Sequence, residues 1–112
     1  MKTPEIKIGS RKIGLNHPPL VIVELGINHN GNLKLAKKLI TSAKKAGAEI
    51  IKHQTHLPYY EMSEEAKKII PIHTNENIFK IIEKCSLKIK DEKNLKKFVE
   101  NNHMQFISTP FS

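Results

Sequence analysis

Several features are scarce in this chain, and each scarcity argues against a class of protein. Among 112 residues there is one cysteine, Cys85. No disulfide can therefore form within the chain, which is typical of the reducing cytoplasm. No apolar run approaches the roughly 18 residues of a membrane-spanning helix, and the N-terminal residues lack the apolar segment of a secretory signal. We expect a cytoplasmic protein, with Cys85 buried beside Ile81 and Ile82.

Sequence motifs for metal and nucleotide binding are also missing. The six histidines and single cysteine form no HxH, HExxH or CxxC pattern. His53 and His56 are three residues apart on a predicted strand, so they should point to opposite faces. Gly26 and Gly31 belong to neither GxGxxG nor GxxxxGK. The sequence therefore predicts no complete metal site in this segment.

The formal net charge of +8 is compatible with a nucleic acid partner or with an anionic substrate. Arginine is almost absent, with Arg11 alone, and aromatic residues make up only 5% of the chain. Both are residues that nucleic-acid-binding proteins use heavily. The lysines fall in spaced pairs on predicted helices, which is typical of solvated helix faces. A small basic module that binds RNA or another polyanion, through lysines such as Lys37, Lys44 and Lys67, remains the alternative.

Hydrophobic periodicity and turn residues predict a hairpin followed by alternating strands and helices. The predicted strands span residues 5–8, 12–14, 20–27, 49–55 and 104–109, and the predicted helices span residues 33–46, 76–85 and 91–102. Ser63 is predicted to cap a further short helix, and Asp91 to cap the last one. Three parallel strands cannot close a barrel, which takes about eight. We therefore interpret the chain as the N-terminal part of a larger α/β protein.

Polar side chains occur where the three predicted parallel strands end. Glu24 lies in the first strand, Lys52 and Gln54 in the second, and Thr109 in the third. Because helix-facing positions should be apolar, strand alternation predicts that these polar residues share the other face. A carboxylate, an ammonium, an amide and a hydroxyl there would suit an anionic substrate with proton transfer nearby. The alternative is a Glu24–Lys52 ion pair that only fixes strand register.

Four motifs in order carry a resemblance to a known family. They read ELGINHNG (24–31), KKAGAEIIKHQTH (44–56), EMSEEAKKIIP (61–71) and FISTPFS (106–112). In this order and at these separations the chain resembles the sialic acid synthase family over residues 7–112. That family includes N-acetylneuraminate, legionaminic acid and pseudaminic acid synthases.

The resemblance implies a TIM (β/α)8 barrel, of which this chain would be an incomplete N-terminal segment. The rest of the barrel and a C-terminal antifreeze-like domain, which reaches across a homodimer, would lie outside it. The implied reaction condenses phosphoenolpyruvate with an N-acylated hexosamine aldehyde to a nine-carbon 2-keto acid, and it releases phosphate. The implied cofactor is a divalent metal, manganese or magnesium, whose ligands are expected beyond Ser112. These 112 residues alone are expected to be inactive.

The resemblance also assigns roles to residues. Glu24 matches an active-site glutamate that orients reactants or moves a proton, and Lys52 matches a phosphoenolpyruvate contact. Gln54 matches a sugar contact, and Thr109 a hydroxyl donor to the phosphate. His73 stands where many members have an asparagine that touches the sugar, so the identity of the sugar is open. A truncated, non-functional relative is a third possibility.

Overall fold

The computed structural model of the protein describes residues 3–111. The strands are β1 (Glu5–Ile8), β2 (Arg11–Gly14), β3 (Ile22–Gly26), β4 (Ile50–Thr55) and β5 (Gln105–Pro110). The helices are α1 (Leu33–Lys45), α2 (Pro58–Glu61), α3 (Ile78–Cys85) and α4 (Ile89–Asn101), with a short 3-10 helix at Ala66–Lys68. Within residues 3–111, no helix has the length and apolar character to cross a membrane.

The strands form the two sheets that the sequence predicts. Strands β1 and β2 make an antiparallel hairpin, and β3, β4 and β5 make a parallel sheet in that order. The register of the parallel sheet places Glu24 beside Lys52 and Gln54 beside Thr109. The polar residues predicted from the strand ends are therefore neighbours across the sheet.

Helix starts follow the capping residues, with two corrections. The side chains of Asn32 and Asn77 accept hydrogen bonds from the first turns of α1 and α3. The prediction that Asp91 caps the last helix is wrong, because α4 begins at Ile89 and Asp91 lies in its first turn. A carboxylate there still interacts favourably with the helix dipole. Helix α2 was not predicted, since its four residues carry no periodic pattern and no side-chain cap.

The hydrophobic core lies on one face of the parallel sheet, under α1 and α4. Its buried members are Leu25, Ala36, Ile40, Ala48, Ile51, Leu87, Leu95, Val99 and Met104. The predicted apolar positions of α1 and α4 supply several of these residues. We call this side the covered face, and the opposite side of the same sheet the open face.

The hairpin packs at the amino-terminal edge of the parallel sheet. Arg11 Nε donates to Glu49 Oε2 at 2.8 Å, and Gln105 Nε2 donates to the carbonyl of Ile8 at 3.2 Å. Both contacts involve residues at the start of β4 or β5. On the open face, Ile22 and Ile107 remain 42% and 38% exposed. The polar side chains of the open face lie further along the strands, at Glu24, Lys52, Gln54 and Thr109.

Candidate functional site

Glu24 and Lys52 meet on the open face near the carboxyl ends of β3 and β4. The Lys52 Nζ to Glu24 Oε1 distance is 2.6 Å. The Lys52 side chain is 36% exposed, and the Glu24 side chain is 58% exposed. The predicted neighbours are thus brought together, but the pair is not buried in this chain. A half-exposed ammonium beside a carboxylate can bind an anion and stays close to a group that can move a proton.

Gln54 and Thr109 lie one step further along the same face, beside each other in the register of β4 and β5. Gly26, with φ of +53°, stands at the end of β3. A Cβ on Gly26 would lie 3.8 Å from both Gln54 Nε2 and Asn28 Nδ2. The two amides therefore lie close to a backbone position that carries no side chain.

His73 is not joined to this group. It is exposed, in the turn between the 3-10 helix and α3. Among residues 3–111, it makes no hydrogen bond to Glu24, Lys52, Gln54 or Thr109. The open face therefore gathers four of the five predicted site residues, from three neighbouring strands.

The covered face overturns one expectation, because its strand positions are not all apolar. His53 points into this side and is fully buried, as is His29 from the turn after β3. Their Nε2 atoms lie 3.1 Å apart, and the rings stack with centroids 5.2 Å apart. The backbone N–H of Gly31 donates to His29 Nδ1 at 3.1 Å, so His29 carries its proton on Nε2 and donates to His53.

The hydrogen-bonded chain continues from His53 to the start of α4. His53 Nδ1 lies 3.5 Å from Ser108 Oγ, which lies 2.7 Å from Thr55 Oγ1. Thr55 Oγ1 in turn donates to Glu92 Oε2 at 3.0 Å. Between residues 3 and 111, no buried side-chain nitrogen or oxygen lacks a hydrogen-bond partner. Buried polar groups are tolerated when they are paired in this way.

Burial keeps the covered-face network largely uncharged. Desolvation, helped by the nearby His29 and His56, lowers the pKa of His53 to about 4. Desolvation also lowers the pKa of His29, against the opposing effect of a hydrogen bond to the backbone of Gly26. For Glu92, desolvation raises the pKa, and the Thr55 hydrogen bond partly offsets the shift. The two histidines are neutral at pH 7 and share one hydrogen bond between them.

A second buried pair stands at the end of β4. His56 is 6% exposed, and its Nδ1 lies 2.9 Å from Glu61 Oε1 in α2. Its Nε2 lies 3.2 Å from Gln54 Oε1, and its ring stacks on Phe111 with centroids 4.3 Å apart. Sequence reasoning missed this pair because α2 was not predicted. One feature of the sequence indicated that His56 lies near Gln54: it follows Gln54 by two residues, just after the same strand, and so shares its face.

The expectation that Cys85 is buried is wrong. Its side chain is partly exposed at the end of α3, and Sγ lies 3.9 Å from Asn30 Oδ1. The isoleucines beside it, Ile81 and Ile82, are only half-buried, because α3 buries none of its residues completely. The core thiol was inferred from apolar neighbours that do not themselves lie in the core.

Parallel strands with helices on one side, and acid, ammonium, amide and hydroxyl groups at their carboxyl ends, define an α/β unit suited to an anionic ligand. The sequence matches the NeuB family over residues 39–112. This match covers more than half of the chain. The chain belongs to the NeuB family, as its motifs predict.

Named relatives agree with this assignment. The chain is 36% identical over 96 residues to N,N'-diacetyllegionaminic acid synthase of Campylobacter jejuni, covering 82% of this chain and 29% of the relative. It is 31% identical over 99 residues to pseudaminic acid synthase of Helicobacter pylori, covering 85% and 29%. The chain thus spans less than a third of the length of these curated relatives.

A solved structure supports the fold. The chain is similar to N-acetylneuraminic acid synthetase from Leptospira borgpetersenii, crystallised with citrate, with a TM-score of 0.79 and 30% sequence identity. The similarity covers 98% of this chain and 35% of that one. The mixed α/β fold therefore resembles the N-terminal part of a sialic acid synthase.

Proposed function

We propose that this chain supplies the first strands of a sialic-acid-type synthase. The complete enzyme condenses phosphoenolpyruvate with the open-chain aldehyde of an N-acylated hexosamine, forms a nine-carbon 2-keto acid and releases phosphate. Family membership supports the general class of reaction. The observation that carries the proposal to this chain is the 2.6 Å contact of Lys52 with Glu24 on the open face, with Gln54 and Thr109 beside it.

The residues divide the chemistry between two substrates. The Lys52 ammonium and the Thr109 hydroxyl bind the anionic groups of phosphoenolpyruvate, and Gln54 contacts the sugar. The enol carbon attacks the aldehyde carbon, water adds to C2, and the bond from C2 to the phosphate oxygen breaks. Glu24 orients the reactants or moves a proton in these steps. In this proposal His73 reaches the sugar from its loop.

A divalent metal, manganese or magnesium, is part of the proposed enzyme, where it would polarise the aldehyde oxygen. Among residues 3–111, no group of three or more histidine, cysteine or acidic side chains is placed to hold a metal ion. The residues described here therefore do not fit a metal site by themselves. We assign its ligands to the part of the enzyme outside this chain.

The proposal is tested with the complete protein that carries this chain. Phosphate release is measured with phosphoenolpyruvate, an N-acylated hexosamine and manganese, and each component is omitted in turn. We expect release only with both substrates, and a loss of at least about a hundredfold in Lys52→Ala, since the group that binds the anion is removed. Phosphate release that does not require the sugar would contradict the proposal, and so would full activity in Lys52→Ala.

The polyanion alternative is tested by three other lysines. Lys37 lies over the ring of Phe98, with Nζ 5.2 Å from the ring centroid, and Lys67 Nζ pairs with Glu64 at 2.6 Å. Lys44 donates to the carbonyl of Asn102. Alanine at Lys37, Lys44 and Lys67 should leave phosphate release unchanged. A polyanion-binding module would instead lose affinity in these variants, and that affinity would fall steeply with salt.

A further inference from the structure

We infer that His56 and Glu61 are positioning residues that fix which end of the Gln54 amide faces the substrate. The inference rests on the proposed function, because it concerns the sugar side of that site. A glutamine amide has two ends of similar shape: the oxygen accepts hydrogen bonds and the NH2 group donates them. Which end a substrate meets decides whether it must offer an acceptor or a donor.

His56 contacts acceptor atoms through both of its ring nitrogens. Its Nδ1 lies 2.9 Å from Glu61 Oε1 and 3.1 Å from Glu61 Oε2, so Nδ1 carries a proton. Its Nε2 lies 3.2 Å from Gln54 Oε1, which can only accept. In this arrangement both ring nitrogens of His56 face acceptor oxygens and are placed to donate.

Both members of the His56–Glu61 pair are shielded from solvent. The side chains of His56 and Glu61 are only 5% and 6% exposed. Phe111 covers one side of the imidazole ring. The other titratable groups near it are His53 on its own strand and Glu92 from α4.

These contacts fix the orientation of the Gln54 side-chain amide. Because its oxygen is held by His56, its NH2 group is turned towards Gly26, where it would lie 3.8 Å from an added Cβ. The open face therefore receives a hydrogen-bond donor at this point. The proposed site takes an acceptor atom of the sugar there, such as the carbonyl oxygen of the N-acyl group.

The test begins with the charge of His56, which can be measured without any activity. In the complete protein labelled with 15N-histidine, we expect both ring nitrogens of His56 to be protonated at pH 7, and one of them to lose its proton in Glu61→Gln. An unprotonated Nε2 in the unmodified protein overturns the inference. This measurement stands even if the protein has no synthase activity, in which case the proposed function alone fails.

Kinetics then separates positioning from general damage. His56→Phe keeps a flat ring against Phe111 but frees the Gln54 amide. In His56→Phe and Glu61→Gln we expect the KM for the sugar to rise about tenfold, the effect of one lost hydrogen bond, with the KM for phosphoenolpyruvate unchanged. Glu61→Asp should restore most of the sugar affinity. Equal changes in both KM values would mean a structural role and would overturn the inference.

The chain offers a matched control. His17 pairs with Glu5 at 2.6 Å on the hairpin, at the opposite end of the sheet. His17→Phe removes the same kind of histidine–glutamate pair and should leave both KM values unchanged. A similar rise in the sugar KM in His17→Phe would show that the effect is not specific to Gln54 and would overturn the inference.

Discussion

The two faces of the parallel sheet use polar residues in opposite ways, although they alternate along the same strands. On the open face, the Glu24–Lys52 pair is 58% and 36% exposed and can reach a ligand. On the covered face, His29 and His53 are fully buried and hydrogen-bonded to each other. Consecutive residues therefore face opposite environments: Lys52 lies partly exposed on the open face, and His53 is buried on the covered face.

Polar residues can lie on the covered face, beneath the site, without destabilising the sheet because they are hydrogen-bonded. The strand members of the covered face are each next in sequence to an open-face residue: His53 lies between Lys52 and Gln54, Thr55 follows Gln54, and Ser108 precedes Thr109. Hydrogen bonds are directional, so they fix the register of neighbouring strands more closely than apolar contacts do. The covered face should therefore dominate stability, and the open face should dominate activity.

The largest effect on stability is expected at the turn that carries His29. Gly31 has φ of +70°, and a Cβ there would lie 2.3 Å from the carbonyl oxygen of Lys84 at the end of α3. Gly31→Ala should cost about 4 kcal/mol, from a left-handed backbone and a clash with main chain. The measurement is the free energy of unfolding in urea.

Gly47 is the matched control for Gly31. It has φ of +91°, but nothing lies within 4 Å of an added Cβ. Gly47→Ala should therefore cost only about 1 kcal/mol, from the backbone conformation alone. Equal losses in the two variants would show that the packing of the turn against α3 contributes nothing.

The second effect is a dependence of stability on pH that comes from the covered face. Because the folded pKa of His53 is depressed to about 4 from 6.5, the unfolded chain binds more protons between these values. The free energy of unfolding should fall by about 3 kcal/mol from pH 7 to pH 4 on account of His53. His29 is shifted in the same direction, whereas the raised pKa of Glu92 gives a smaller, opposite slope just above pH 4.5.

Replacing His53 should flatten this pH profile. His53→Phe cannot titrate and can still stack near Phe106, whose ring centroid lies 5.8 Å away. The variant will be less stable at pH 7, since His29 loses its acceptor, but it should lose less stability on acidification. His103→Asn is the control, because His103 is exposed and asparagine accepts its φ of +59°. An unchanged slope in His53→Phe would contradict the assignment.

The sequence was sufficient to predict the open face and not the covered one. Strand alternation together with apolar runs placed Glu24, Lys52 and Gln54 on one side, because period-two patterns read directly onto a sheet. The same rule predicted apolar residues opposite them, and His53 violates it. Its burial depends on partners distant in sequence, His29 and Ser108, which no local pattern reveals.

The smallest effect on stability is expected from Glu24 and Lys52, the pair to which we propose the substrate chemistry belongs. A half-exposed ion pair contributes at most about 1 kcal/mol, so a double-mutant cycle of Glu24→Gln and Lys52→Met should give a coupling energy below that value. Because both side chains of the pair remain accessible to water in this chain, solvent screens their attraction. A coupling energy above about 2 kcal/mol, typical of buried charges, would favour a pair that fixes strand register. A small coupling energy with a large loss of phosphate release would separate the chemistry of the open face from the stability of the covered one.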